Sequence, residues 1–126
     1  FEIYESSGMI PSKVFSDSTD SFEKQGTFVV LDRDRKLLYE RINQRVLMML
    51  RDGLIEECQN LLDKGYQPDL YPMKTIGYKE VYAFLNHDID EAQMINSIQQ
   101  NTRNFAKRQL TWFRNHPFDY WIDLGA

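Results

Sequence analysis

The sequence predicts a mostly helical domain that also contains two short β-strands. Apolar residues recur at three- and four-residue steps over about 34–52, and further helices are predicted at 54–64 and from 88 to about 115. Two short runs at 27–31 and 120–124 are instead apolar and rich in β-branched and aromatic residues. At 126 residues, the chain has the size of one domain.

Composition narrows the class of protein. Hydrophobic residues make up 42% of the chain and charged residues 27%, which is ordinary for a soluble globular protein. The longest apolar run, 46–50, is too short to cross a bilayer, and no signal-peptide pattern opens the chain. The single cysteine, Cys58, excludes an internal disulfide and fits the reducing cytoplasm. Because it lies in a helical pattern without a nearby histidine, we expect a buried structural thiol.

The first 26 residues suggest a piece of a longer protein. The chain starts without Met and already has a helical composition, so residues 1–8 are interpreted as the end of a helix that stops at Gly8. Residues 9–26 contain Ser/Asp clusters and Pro11 but show no sustained period. We expect an extended connector there, followed by a helical portion with two strands over 27–126.

The first strand and two helices follow directly. The run 27–31 has nothing polar at its centre, which predicts a strand of a parallel sheet that is buried on both faces. Asp32 or Asp34 can cap the next helix, in which Arg41 and Arg45 are interpreted as partly solvated structural residues. Gly53 breaks this helix and Gly65 ends the next, so 34–64 is predicted to form an αα-hairpin.

Two more helices and a strand complete the chain. After a loop over 66–72, a helix is predicted from Lys74 through residue 85, with Gly77 in its first turn. This glycine fits either close helix packing or the approach of a ligand. Asp88 and Glu91 have the spacing of a capping box at the start of the long helix, which His116-Pro117 ends before the strand at 120–124.

The second half of the long helix concentrates positive charge. From residue 92 to residue 118 there are four Lys/Arg and no Asp or Glu, in a chain whose net charge is −4. At about 100° per residue, Arg103, Lys107 and Arg114 fall within roughly 40° of one another. The apolar residues on the opposite side, which include Phe105 and Trp112, are expected to pack. Such a face suits a polyanion, although a merely solvated face is the alternative.

The chain contains no recognisable active site of its own. Neither a phosphate-binding G-x-x-x-x-G-K-[ST] loop nor G-x-G-x-x-G or G-x-S-x-G occurs. Paired carboxylates lie where helix starts and solvated faces commonly place acids. His87 and His116 belong to no metal-ligand spacing. We therefore predict no catalytic residue and no metal site within these residues.

Three stretches together resemble a known family. They are Leu38-Tyr39-Glu40-Arg41-Ile42-Asn43-Gln44-Arg45-Val46 with Met49, Gly53-Leu54 and Glu57 after it, then Ile76-Gly77-Tyr78-Lys79-Glu80, and finally Gln100-Asn101-Thr102-Arg103 leading into Lys107-Arg108-Gln109-Leu110-Thr111-Trp112-Phe113-Arg114. In this order and spacing they resemble the C-terminal part of bacterial tRNA dimethylallyltransferase (tRNA isopentenyltransferase). Residues 1–8 are similar to a helix of that family as well, so the resemblance spans nearly the whole chain.

The resemblance implies a fold and an activity. The family transfers a dimethylallyl group from its pyrophosphate, with Mg²⁺, to the exocyclic amine of the adenosine 3′-adjacent to the anticodon. Its fold is a P-loop α/β domain with a parallel sheet, to which this chain would contribute the C-terminal part of a single core domain. The phosphate loop and catalytic acid belong to the N-terminal half. The partners implied are that half and a tRNA anticodon stem-loop, in the cytoplasm and with no membrane.

Two of the stretches carry over as RNA-contacting segments. The residues implied are Lys74, Thr75, Gly77, Tyr78, Lys79, Arg103, Lys107, Arg108, Gln109, Thr111, Trp112 and Arg114. The cations would pair with phosphates, and Gln109 and Thr111 would supply hydrogen bonds. Tyr78 and Trp112 would either stack on bases or pack in the core, and Trp112 is expected in the core. The alternative function is a non-enzymatic helical module that binds RNA or a protein partner.

Overall fold

The computed structural model describes residues 26–125 as four helices and a two-stranded sheet. In chain order the elements are β1 (Val29–Asp32), α1 (Arg35–Arg51), α2 (Leu54–Asp63), a 3₁₀ turn (Tyr71–Lys74), α3 (Tyr78–Leu85), α4 (Glu91–Arg114) and β2 (Tyr120–Asp123). The mostly helical class with two strands is confirmed. The helix end predicted at 1–8 and the connector predicted at 9–26, apart from Gly26, lie outside the described residues.

The two strands pair in parallel, as the sequence predicts, with Val29 opposite Tyr120 and Asp32 opposite Asp123. Their expected burial on both faces is wrong for this part of the protein. Only Val30 is buried, whereas Leu31 is 62% exposed and Tyr120 64% exposed. Within residues 26–125 the sheet has only these two strands, and the helices pack mainly on one another, so most of the apolar strand surface is left uncovered.

Capping residues set the limits of the first two helices. Of the two predicted caps of α1, Asp34 serves: its carboxylate accepts hydrogen bonds from the backbone N–H groups of Lys36 (2.9 Å) and Leu37 (3.2 Å). At the end of α2, Gly65 adopts φ +87°, and the N–H groups of Gly65 and Tyr66 donate to the carbonyls of Leu62 and Leu61. This is the Schellman arrangement that favours glycine.

Helix α3 begins later than predicted. The prediction of a helix from Lys74, with Gly77 in its first turn, is wrong because Lys74 ends the 3₁₀ turn and α3 starts at Tyr78. Gly77 instead precedes the helix as its N-cap residue with φ +101°, a conformation that L side chains rarely adopt. A Cβ atom built on Gly77 would meet no atom within 4 Å among the described residues, so the interpretation as a helix-packing glycine is also wrong there.

The predicted capping box of α4 is displaced by two residues. The N-cap is Asp90, whose carboxylate accepts from Gln93 N–H (2.7 Å), while the Gln93 side chain accepts from Asp90 N–H (2.9 Å). Asp88 cannot serve because it belongs to the end of α3. Its N–H donates to the carbonyl of Ala83 (2.9 Å), after His87 has turned the chain at φ +62°.

A single core joins the four helices. Helix α4 packs against α1 and α3, and α2 packs against the same two helices. Each helix contributes fully enclosed side chains to this core, chiefly Val46 from α1, Cys58 from α2, Val81 from α3, and Met94 and Ile98 from α4. The second half of α4 extends past this core, so its side chains are available for other contacts. None of the helices in residues 26–125 combines the length and apolarity needed to span a membrane.

Candidate functional site

An exposed polar stripe runs along the second half of α4. Asn104, Lys107, Arg108 and Thr111 line one shallow surface groove, and their spacing of three, four and seven residues places them on one face of the helix. All four are exposed, as are Gln109 and Arg114 nearby. Asn104 was absent from the residues implied by the sequence, although its position three residues before Lys107 would have indicated it. We call Asn104, Lys107, Arg108 and Thr111 the α4 stripe.

Among the described residues, no acidic side chain neutralises the charge of the α4 stripe. Within residues 26–125 the only ion pair joins Lys79 Nζ to Glu80 Oε1, at 3.5 Å. Lys107 therefore has no carboxylate partner there, and the guanidinium of Arg108 lies 5.6 Å from the centre of the Phe105 ring. The hydroxyl of Thr111 donates to the carbonyl of Lys107 (3.0 Å), so it offers lone pairs rather than a free proton. As far as residues 26–125 are concerned, an anion could approach the stripe without displacing a carboxylate from it.

Arg103 is separate from this stripe, although the sequence grouped it with Lys107 and Arg114. Its guanidinium donates to the side-chain oxygen of Asn43 on α1 and to that of Gln100 (2.8 Å). Gln99 also donates to the backbone carbonyl of Asn43, at 3.3 Å. Arg103 is half-buried and helps to hold α4 against α1. Sequence spacing could not reveal this, because Asn43 lies on another helix.

Trp112 is exposed, so its expected place in the core is wrong for the described residues. Its side chain is 53% exposed, and Phe105 on the same side of α4 is 47% exposed. The indole ring stacks on the His116 ring at 4.1 Å between centroids and meets the edge of Phe113 at 5.3 Å. His116 Nδ1 also lies 2.7 Å from the carbonyl oxygen of Trp112. The half-buried side of this part of α4 is formed by Ala106, Leu110 and Phe113.

The second predicted segment, 74–79, forms the approach to α3. Lys74, Thr75 and Lys79 are exposed, and the hydroxyl of Thr75 donates to the carbonyl of Pro72 (2.7 Å). Tyr78 is half-buried and its hydroxyl donates to a carboxylate oxygen of Glu57 on α2. The pKa of Tyr78 is raised to about 12, mainly by that hydrogen bond and to a smaller extent by burial. The Tyr78 hydroxyl is therefore already engaged in a hydrogen bond within the protein.

The one cysteine is a structural thiol, as predicted. Cys58 is fully buried, and burial, together with the negative charge of Glu57, raises the pKa of its thiol to about 11. A nucleophilic cysteine needs the opposite shift. No group of three or more His, Cys, Asp or Glu side chains that could hold a metal ion occurs in residues 26–125.

Comparisons with known proteins agree on one family. The family model described as IPP transferase matches residues 1–116. A tRNA dimethylallyltransferase of Petrotoga mobilis is 43% identical over an alignment 127 residues long, which covers 98% of this chain and 41% of that protein. The enzyme of the same name from Alkaliphilus metalliredigens is 45% identical over 114 residues, which cover 87% of this chain and 36% of that protein. The chain thus spans about two fifths or less of the length of these curated relatives.

Solved structures give the same result. A tRNA isopentenylpyrophosphate transferase from Bacillus halodurans is 40% identical with a TM-score of 0.75, over 79% of this chain and 32% of that one. A tRNA delta(2)-isopentenylpyrophosphate transferase from Staphylococcus epidermidis is 31% identical with a TM-score of 0.77, over 97% of this chain and 40% of that one. Sequence and fold agree, and the chain belongs to the IPP transferase family.

Proposed function

We propose that this chain is the C-terminal part of a tRNA dimethylallyltransferase and provides an RNA-binding face. The parent enzyme would transfer a dimethylallyl group from its pyrophosphate to the exocyclic amine of the adenosine 3′-adjacent to the anticodon. The names of the relatives support the reaction class. The observation that carries the RNA-binding role is the α4 stripe, in which two exposed cations lie side by side without carboxylate partners among residues 26–125.

The stripe suits the backbone of a folded RNA. Lys107 and Arg108 would pair with phosphates, and Asn104 and Gln109 can donate side-chain hydrogen bonds beside them. Arg114 extends the positive charge toward the end of the helix. An enzyme that acts on a base in the anticodon loop has to take that base out of its stack. A rigid cationic wall would hold the loop backbone while the base is displaced, which is a role in binding and orientation.

The rest of the parent enzyme would supply the donor site. Dimethylallyl pyrophosphate and Mg²⁺ are expected there, because residues 26–125 contain no group of side chains suited to a metal ion and the sequence lacks a phosphate-binding loop. We therefore assign no step of the reaction to this chain beyond binding and orienting RNA. With a tRNA substrate, the parent enzyme is expected in the cytoplasm, and the N-terminal half of the same protein is the expected partner of this part.

The salt dependence of RNA binding tests the proposal. Binding of an anticodon stem-loop to the full-length enzyme is measured at several salt concentrations, for the wild type and for a Lys107→Ala/Arg108→Ala variant. Removing two phosphate contacts should make the log–log slope shallower by about 1.4 and weaken binding at low salt. A matched control, Arg51→Ala/Lys64→Ala, removes the same charge from exposed positions around the α1–α2 hairpin. It should retain the wild-type slope.

The alternative is a helical module that binds a protein partner through apolar surface. The exposed strand residues Leu31, Tyr120 and Ile122 favour considering it. It predicts weak RNA binding that hardly changes with salt. If the Lys107→Ala/Arg108→Ala variant binds the stem-loop with the affinity and slope of the wild type, the RNA-binding proposal is wrong and the alternative is preferred.

A further inference from the structure

Glu80 is the one charged residue that is buried within residues 26–125. Its side chain is on the first turn of α3, and the residue is only 5% exposed. Burying a carboxylate is unfavourable unless hydrogen bonds replace the lost water. An apolar residue of similar size is often equally good or better for stability at such a position. The role of the carboxylate is therefore sought in its three partners, Gly77, Asn101 and Lys79.

Both oxygens of Glu80 are engaged, in two different directions. Oε2 accepts a hydrogen bond from the backbone N–H of Gly77 at 2.8 Å. Oε1 accepts from the side-chain amide of Asn101 on α4 at 2.7 Å, and Lys79 Nζ lies 3.5 Å from the same oxygen. Since glycine has no side chain with which to cap α3, the carboxylate provides that cap. It also joins the cap to a different helix.

This carboxylate connects the two segments that the family resemblance implies to contact RNA, of which only the α4 segment is also supported by its exposed positive charge. One side holds Gly77, which lies inside the 74–79 segment and has a conformation that L residues rarely adopt. The other side holds Asn101, which is six residues before Lys107 and therefore roughly 9 Å along the axis of α4. Rotation or sliding of α4 relative to the start of α3 would break one of the two hydrogen bonds.

We propose that Glu80 and Asn101 are positioning residues that fix the 74–79 segment relative to the α4 stripe, so that both can contact one RNA. The inference rests on the proposed RNA-binding function and deepens it. It assigns the two residues no direct contact with the RNA. It requires the Glu80–Asn101 hydrogen bond to matter for RNA binding beyond its contribution to folding.

The test exchanges the donor and the acceptor across this contact in the full-length enzyme. Asn101→Asp places two carboxylates against each other and breaks the contact. The double variant Glu80→Gln/Asn101→Asp restores it, because the Gln amide can donate to Asp and its oxygen can still accept from Gly77 N–H. Asn96→Asp is the matched control, since it adds the same charge at an exposed position of α4. Asn101→Ala removes the donor without adding charge, and serves if Asn101→Asp does not fold.

The readout is the KM for tRNA and the KM for dimethylallyl pyrophosphate, at a temperature where thermal unfolding curves show every variant folded. Asn101→Asp should raise the KM for tRNA about tenfold, as expected for loss of one hydrogen bond to a charged group, and leave the KM for the donor unchanged. The double variant should return to within about threefold of the wild type. Asn96→Asp should remain close to the wild type.

Three results would overturn the proposal: an unchanged KM for tRNA in both Asn101→Asp and Asn101→Ala, an equal rise in the two KM values, or no recovery in the double variant. The Lys107→Ala/Arg108→Ala variant measured alongside separates this proposal from the function on which it rests. If that variant loses RNA affinity and the Asn101 variants do not, only the positioning role is wrong. If all of them bind like the wild type, the RNA-binding face itself is wrong.

Discussion

The guanidinium of Arg103 donates a hydrogen bond to the side chain of Asn43, which precedes it by 60 residues in the chain. The contact joins the longest helix, α4, to α1. It also divides the cations of α4 into two groups. Arg103 is half-buried and holds two helices together, whereas Lys107, Arg108 and Arg114 are exposed further along the same helix. The two groups should respond differently to substitution.

Arg103→Ala should destabilise the protein without changing the salt dependence of RNA binding. Loss of the hydrogen bonds to Asn43 and Gln100 should lower the free energy of unfolding by roughly 1–3 kcal/mol, measured by urea denaturation. Asn43→Ala should do much the same, and the double variant should be less destabilised than the sum of the two. A shallower salt slope with unchanged stability would instead return Arg103 to the RNA-binding group.

Asp90→Ala should destabilise the start of α4 more than Asp88→Ala does. Asp90 accepts from Gln93 N–H and caps the helix, so its loss should lower the free energy of unfolding by about 1 kcal/mol. Among the described residues, the carboxylate of Asp88 accepts from the nearby Asn86 amide alone, and its loss should change stability by less than about 0.5 kcal/mol. Thermal denaturation of the two variants compares them directly, and the reverse order would favour the box predicted from the sequence.

Local signals predicted the helices well and failed where two elements compete for one residue. Asp34 and Gly65 act as sequence rules anticipate, because each terminus depends only on residues beside it. Only Asp88 was predicted as the cap of α4, although Asp90 and Gln93 have the same spacing as Asp88 and Glu91. The choice between them depends on how α3 ends, since its last turn already uses the N–H of Asp88. The sequence contains both candidates and does not rank them.

In the candidate site, too, features that depend on one helix could be predicted, and features that depend on another helix could not. The concentration of cations and the exposed positions of Lys107 and Arg114 could be predicted from charge and helical period, whereas Arg108 was implied by the family resemblance. The role of Arg103 could not, because it depends on Asn43 from another helix. For the described residues, the expected burial of Trp112 in the core is wrong for a different reason. A helical projection tells which side of α4 is apolar, but not that α4 extends beyond the core formed by the other helices.

Cys58 should react with thiol reagents only when the protein opens. Burial raises the pKa of the thiol to about 11, so at pH 8 only roughly one molecule in a thousand would carry a thiolate. With a disulfide reagent such as Ellman's reagent, we expect slow labelling of this thiol in the native protein and rapid labelling in urea. Cys58→Ser provides the blank. Rapid labelling of Cys58 under native conditions would contradict its enclosed position in the core.

Tyr78→Phe should remove the stabilisation that comes from the Tyr78–Glu57 hydrogen bond. The wild type should lose the same stabilisation at high pH, when the Tyr78 hydroxyl is deprotonated. The Tyr78 hydroxyl donates to Glu57, and this raises its pKa from about 10 to about 12. Because the unfolded chain releases the proton first, the contribution is fully present below pH 10 and is lost as pH rises through 12. The wild type should exceed the variant by about 1 kcal/mol at pH 8. Urea denaturation from pH 8 to 12 should show this difference shrinking above pH 10, and a difference independent of pH would indicate lost packing of the ring rather than the Glu57 hydrogen bond.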